Sequence, residues 1–235
     1  MTRVADQMPA HIDAVMARLE ALGTEQTRRT YRRHGMSEPL FGVKWGDMRP
    51  FAKRIGTDHD LALSLWATGN GDARVLATMV ADPSRMTDTH VDAWLADCDS
   101  YPLVDALVAH VAERMPDMAG RAERWIASDR DRTGQAGWQL MSAFATTDVG
   151  TADEYFEAQL ATIEQRIRSY GNWTRRAAGG SIISIGLRDP ALEAAARKTA
   201  TRLGHVDFDP GETGCVMPDP IAYIERVQAR RTARR

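Results

Sequence analysis

The feature that most constrains this chain is a spacing. Apolar residues recur at i, i+3 and i+4 in HIDAVMARLEAL, DLALSLWATG, THVDAWLADC, PLVDALVAHVAERM, AGRAERWIAS, GWQLMSAFA, DEYFEAQLATIEQRI, NWTRRAAGGSIISIGL and PALEAAARKTATRL. That spacing puts an apolar stripe along one side of an α-helix. No stretch alternates with period 2, so the sequence predicts no sheet. SEPLFG, TGNGD, ADPSRM, MPDMAG and RDP break the stripes with turn residues. Short helices arriving about every 18 to 20 residues bury their stripes against near neighbours, which is the footprint of an α-solenoid. A plain helical bundle is the other architecture the spacing allows.

Charge and cysteine content narrow the classes of function. No apolar run approaches the roughly 20 residues of a membrane span. The opening segment, MTRVADQMPAHIDAVMARLEAL, is amphipathic and is broken by Asp13 and Glu20, unlike the apolar centre of a signal peptide. Cys98 and Cys215 are the two cysteines, too few for a disulfide framework, and they suit a reducing cytoplasm. The net charge of −2 argues mildly against a nucleic-acid partner. Its distribution argues the other way. Basic residues gather in RRTYRRHG (28–35), KWGDMRPFAKR (44–54), RIRSYGNWTRR (166–176) and RRTARR (230–235). A basic face on a near-neutral protein follows from such clustering.

Four strings together resemble one family, the DNA alkylation repair proteins, which are HEAT-like-repeat alkylpurine DNA glycosylases. PLFGVKWGDMRPFAKRI (39–55) is similar to the family's Phe-Gly/Ile-x-Lys-x-x-x-x-Arg segment. YPLVDALVAHVAERM (101–115) is similar to its Trp-x-x-Val-Asp helix, RAERWIASD (121–129) to its Arg-Trp-Ile-x-Ser-Asp segment, and RRAAGGSIISIGLRDP (175–190) to its late Arg-Lys-Ala helix. The strings lie in family order. The resemblance implies an all-α superhelix of HEAT-like antiparallel helix pairs, one domain over residues 1–235, with a concave, basic DNA-binding face. It implies excision of N3- and N7-alkylated purines by aromatic residues, an aspartate and an arginine, with no cofactor and no metal.

Carried over by position, the family aspartate falls on Asp105 and the tryptophan four residues earlier on Tyr101. The family arginine falls at Gln135 and the late tryptophan at Gly180, with Arg132 or Trp138 as substitutes in a shifted register. A carboxylate stabilises the positive charge that builds on the sugar as a glycosidic bond breaks, and an aromatic face adds a cation–π attraction. An acid in the first turn after Pro102 also simply suits the helix dipole. Lys44, Arg49 and Lys53, with Arg54 beside them, are candidate phosphate contacts, as are Arg132, Gln135, Arg175 and Arg176. Trp173 follows a Gly-Asn turn and is a candidate DNA-facing aromatic beside Tyr170. Trp45, Trp66, Trp94, Trp125 and Trp138 fall within apolar stripes and read as core.

The segment 205–219, HVDFDPGETGCVMPD, is the one long irregular stretch, and a helix and basic tail follow over 220–235. His205, Asp207, Asp209 and Cys215 are metal-ligand types, but hard and soft donors at this spacing match no standard site, so no metal is expected. The expected protein is a cytoplasmic monomer that binds double-stranded DNA, alkylated or structurally distorted, with no membrane partner. Its excision activity is expected to be weak or lost, because Gln135 and Gly180 stand where the family has its arginine and tryptophan. An active 3-methyladenine and 7-methylguanine glycosylase using Asp105 is the alternative, and a protein-interaction scaffold is the third.

Overall fold

The structure is a computed structural model that describes residues 7–232. The start of the N-terminal segment and the last three residues of the 230–235 basic cluster lie outside the described residues. Thirteen α-helices make up the described chain, and its only strand-like feature is an isolated antiparallel bridge between Gly23 and Val43. None of these helices is long and apolar enough to cross a membrane.

The chain falls into two compact units. Among the described residues, 7–116 with 211–213 form the first, and 117–210 with 214–232 the second. The first contains α1 (Gln7–Leu22), α2 (Glu25–Arg33), α3 (Trp45–Ile55), α4 (His59–Ala67), α5 (Gly71–Val80), α6 (Asp88–Ala96) and α7 (Tyr101–His110). The second contains α8 (Met118–Ile126), α9 (Asp131–Thr147), α10 (Asp153–Arg166), α11 (Asn172–Gly186), α12 (Pro190–Leu203) and α13 (Pro220–Thr232). Short connections over 68–70 and 187–189 turn α5 back on α4 and α12 back on α11.

In the first unit α5 is the central helix, packed by α3, α4 and α7. Eight of its ten residues are buried, including Val75, Leu76, Ala77 and Val80. A helix buried on all sides has no polar face, so its sequence shows no stripe. This is why GDARVLATMV is not among the periodic segments. The opposite case is α2, EQTRRTYRR, where Thr27 is the one buried residue. Trp66 and Trp94 stack face to face at 4.1 Å, and Trp66 Nε1 donates to Asp97 at 3.0 Å.

In the second unit α9 is central, between α8 and α11, and α12 packs on α10 and α11. Gly134 lets α9 and α11 approach closely, since a Cβ there would lie 2.5 Å from Thr174 Oγ1. Trp138, Leu140 and Met141 of α9 are completely buried. The helix expected over 102–115 ends earlier, at His110. Val111 leaves helical geometry and a single 3-10 turn follows over Ala112–Arg114.

Candidate nucleic-acid interface

Unit 1 carries Tyr101, Asp105, Lys44, Arg49 and Lys53. Tyr101 opens α7 with Pro102 behind it, in the first turn where a helix accepts proline. Asp105 follows one turn later and is half-buried. The Tyr101 ring is 8% exposed, and its hydroxyl makes a short hydrogen bond with His34 Nδ1 from the loop after α2. A ring so enclosed packs the helix start and offers little face for stacking on a base. The neighbouring Arg33 and partial burial hold the His34 pKa below its usual value, burial being the larger cause.

Lys44, Arg49 and Lys53 lie exposed on α3 and its N-cap. The loop that delivers them is fixed by one carboxylate. Asp72, on the first turn of α5 and fully buried, accepts N–H bonds from Phe41 at 2.7 Å, Gly42 at 2.9 Å and Val43 at 2.8 Å. Tyr31 of α2 adds a hydroxyl donated to Val43 O at 2.6 Å. Beside Arg49, His110 stands 6.3 Å from the Trp45 ring. The Thr78 hydroxyl lies 2.7 Å from Val75 O and 3.0 Å from His110 Nδ1. Burial, then Arg114 and Arg49, push the His110 pKa down and favour the neutral ring.

Unit 2 brings together Arg132, Gln135, Trp173 and Arg176. Arg132 lies over the Trp173 ring at 5.1 Å, and Arg176 approaches the same ring at 6.0 Å. Arg132 also donates to Gln135 Oε1 at 3.1 Å, and Gln135 is 1% exposed. The buried amide thus lies inside the fold and holds Arg132 in place. Trp138, the other substitute allowed by a shifted register, is completely buried. Arg176 makes no ion pair among the described residues, and its Nε is buried without a hydrogen-bond acceptor among them. Two guanidinium groups are thus gathered on one indole.

Arg175 departs from the expected role. Its nitrogens donate to the carbonyls of Ile167 at 3.3 Å, Tyr170 at 2.9 Å and Asp207 at 3.0 Å, so it ties the main chain together and does not reach outward. The start of α11 is fastened from α9 as well. Asp131 accepts the N–H groups of Trp173 at 3.1 Å and Thr174 at 2.8 Å. A second fastening comes from the irregular segment. Asn172 and Asp209 exchange hydrogen bonds at 2.7 and 2.9 Å, and Phe208 meets Trp173 edge-on at 5.3 Å while also lying under Arg176 at 5.8 Å.

Residues 207–209 therefore pack against the aromatic–arginine cluster. His205 and Asp207 sit 3.3 Å apart, both almost fully exposed, and no group of three or more metal-ligand side chains occurs among the described residues. Phe208, Asn172 and Asp131 were not singled out from sequence. A lone aromatic in a polar Pro/Gly segment was the available signal for Phe208. At Gly180 a Cβ would meet nothing within 4 Å, so the place of the family tryptophan is open space.

The molecule is an all-helical repeat protein that carries cations on α3, α9 and α11, with main-chain fastenings at the start of α3 and of α11. Residues 15–203 match the model of the family described as DNA alkylation repair enzyme, and the chain belongs to that family. It is 29% identical over 223 residues to the uncharacterized protein Lin0241 of Listeria innocua, covering 93% of this chain and 97% of that one. Lmo0209 of Listeria monocytogenes is 28% identical over the same coverage. A solved structure aligns with a TM-score of 0.85 at 27% identity, covering 93% of this chain and 94% of that chain. It was described as belonging to a new family of proteins related to the HEAT-like repeat DNA glycosylases with affinity for branched DNA structures. The fold here is accordingly the HEAT-like array of helix pairs.

Proposed function

We propose that this protein binds DNA through its exposed cations, favours branched over linear duplex DNA, and excises alkylated purines weakly or not at all. The observation that carries the reading is the second-unit cluster, where Arg132 and Arg176 converge on Trp173 while the tryptophan position at Gly180 is open. Such a site holds phosphate and has no aromatic lid for a cationic base. The preference for branched DNA is taken from the solved relative's reported affinity. Asp105 keeps the place of the family carboxylate on α7, and this favours a second reading as an active glycosylase.

Two assays separate these readings. Anisotropy titrations with a four-way junction and a linear duplex of equal length should show salt-dependent binding and a tighter junction complex. Release of 7-methylguanine and 3-methyladenine from methylated DNA should stay near background. Robust release that collapses in Asp105→Asn establishes the glycosylase instead. No binding to either DNA at low salt overturns the DNA-binding reading.

A further inference from the structure

We infer that the outer face of α2 is a second, separate phosphate-binding strip, and that it takes the sugar–phosphate backbone of one arm of a branched DNA. The inference rests on the DNA-binding reading above. Gln26, Arg29, Thr30 and Arg33 follow the i, i+3, i+4, i+7 spacing of a single helix face. With Arg32 they line a recess of about 460 Å³ that contains no carboxylate.

The arginines of α2 divide into two pairs. Arg28 grips the Glu38 carboxylate through two nitrogens, at 2.9 and 2.8 Å, and Arg32 joins it through Nε at 2.6 Å. These contacts hold the Glu38 pKa down at about 2, chiefly through Arg28. Arg29 and Arg33 have no acidic partner among the described residues. Arg33 is steadied only by Thr30, whose hydroxyl it meets at 3.4 Å and which itself donates to Gln26 O at 3.1 Å. Glu25, in the first turn, leans toward Arg28 and Arg32 at 3.9 and 4.0 Å, so the Arg29 and Arg33 guanidinium groups are the two left without an ion pair on this face.

Its direction separates it from the α3 cations. The inner side of α2 is set by buried Thr27 and by Tyr31, which bonds to Val43 immediately before Lys44. The Arg29–Arg33 face points away from that loop. A straight duplex lying on Lys44, Arg49 and Lys53 thus leaves the α2 strip unoccupied, whereas a second arm leaving a junction reaches it. Arg29 and Arg33 are about 6 Å apart along the helix axis. One helical turn apart on one face, the two side chains can engage neighbouring phosphates of one strand.

The test compares wild type with Arg29→Ala/Arg33→Ala and with the charge-keeping Arg29→Lys/Arg33→Lys. Binding to a four-way junction and to a linear duplex is titrated across salt concentrations, with circular dichroism melts as the fold control. The alanine pair should bind the junction roughly 10- to 30-fold more weakly. Its junction salt slope should fall by roughly 1.8, at about 0.9 per lost phosphate contact. Linear duplex affinity should change less than about twofold, and the lysine pair should stay near wild type on both DNAs. An unchanged junction affinity, or an equal loss on both DNAs, overturns the inference while leaving the DNA-binding reading intact. Failure of wild type to bind any DNA overturns both.

Discussion

Removing the Asp72 carboxylate tests the link between the buried frame and the exposed cations. The side chain is completely buried and accepts three main-chain N–H groups, from Phe41, Gly42 and Val43. A buried donor left unsatisfied costs about 1–3 kcal/mol. Asp72→Ala orphans three donors and leaves a void, so it should cost about 3–5 kcal/mol, a large share of a total stability of about 5–15 kcal/mol. Oδ2 serves Phe41 and Gly42, and Oδ1 serves Val43. Asp72→Asn keeps one oxygen, which satisfies Phe41 and Gly42 and turns an NH2 toward Val43. Its cost should be about 1–3 kcal/mol. Urea unfolding followed by both circular dichroism and tryptophan fluorescence measures the ranking. Tyr31 gives an independent readout. Burial and then the Asp72 charge raise its phenol pKa above the usual value, so in Asp72→Asn it should ionise at lower pH than in wild type. An alanine variant that loses less than about 1 kcal/mol, or an asparagine variant as damaged as the alanine, would show that these N–H groups have other acceptors and refute the argument.

Three further outcomes follow from the same geometry. Gly134→Ala should destabilise by about 1–2 kcal/mol, because its Cβ would press on Thr174; Gly180→Ala, with nothing within 4 Å, should stabilise by up to about 1 kcal/mol, and melting temperatures that move the same way would contradict the packing. Trp173→Ala should weaken DNA binding about 5- to 30-fold by releasing Arg132 and Arg176, with Trp173→Phe falling between; equal affinities for all three proteins would remove the indole from the interface. Burial, with Arg114 and Arg49, holds the folded His110 pKa below the ordinary histidine value of about 6.5, so the unfolded chain takes up the proton first. Its contribution is full above that pH and is lost as pH falls through the folded value. His110→Asn should therefore lose less stability than wild type between pH 7 and 5, which urea midpoints at several pH values will show.

How far the sequence reveals the molecule depends on contrast between faces. Helices with one dry side and one wet side, such as α6, α10 and α12, announce themselves by period. The helix α5 is buried over eight of its ten residues and α2 buries Thr27 alone, so a reading by apolar spacing passes over both. The family strings located Tyr101, Asp105 and Gln135, but position along the chain does not report burial. Tyr101 faces inward to His34, and Gln135 supports Arg132. Arg175 and Arg176 are adjacent in sequence and differ in what they touch: one ties carbonyls together, the other lies against Trp173 and Phe208. Phe208 belongs to the cluster through contacts more than thirty residues distant in sequence, which no local pattern records.

The near-neutral net charge also has a structural resolution. Many aspartates here accept main-chain N–H bonds instead of pairing with arginines. Asp58 bonds to Leu61, Asp82 to Ser84, Asp117 to Gly120, Asp189 to Ala191 and Leu192, and Asp219 to Ala222, each at a helix start. At such a place the partial positive charge of the helix terminus offsets the carboxylate. Asp72 and Asp131 go further and bind the N–H groups of another segment, the one that begins or precedes a basic helix. Asp72 holds 41–43 ahead of Lys44, and Asp131 holds 173–174 ahead of Arg176. In both units an acid thus fixes the backbone beneath the cations while engaging none of the guanidinium or ammonium groups it positions. Summed charge counts these acids in full against the basic residues; at α3 and α11 the N–H dipoles around the inward-turned oxygens offset part of their field. A polyanion approaching those helices meets the cations first. The net charge of −2 is for that reason compatible with a DNA partner.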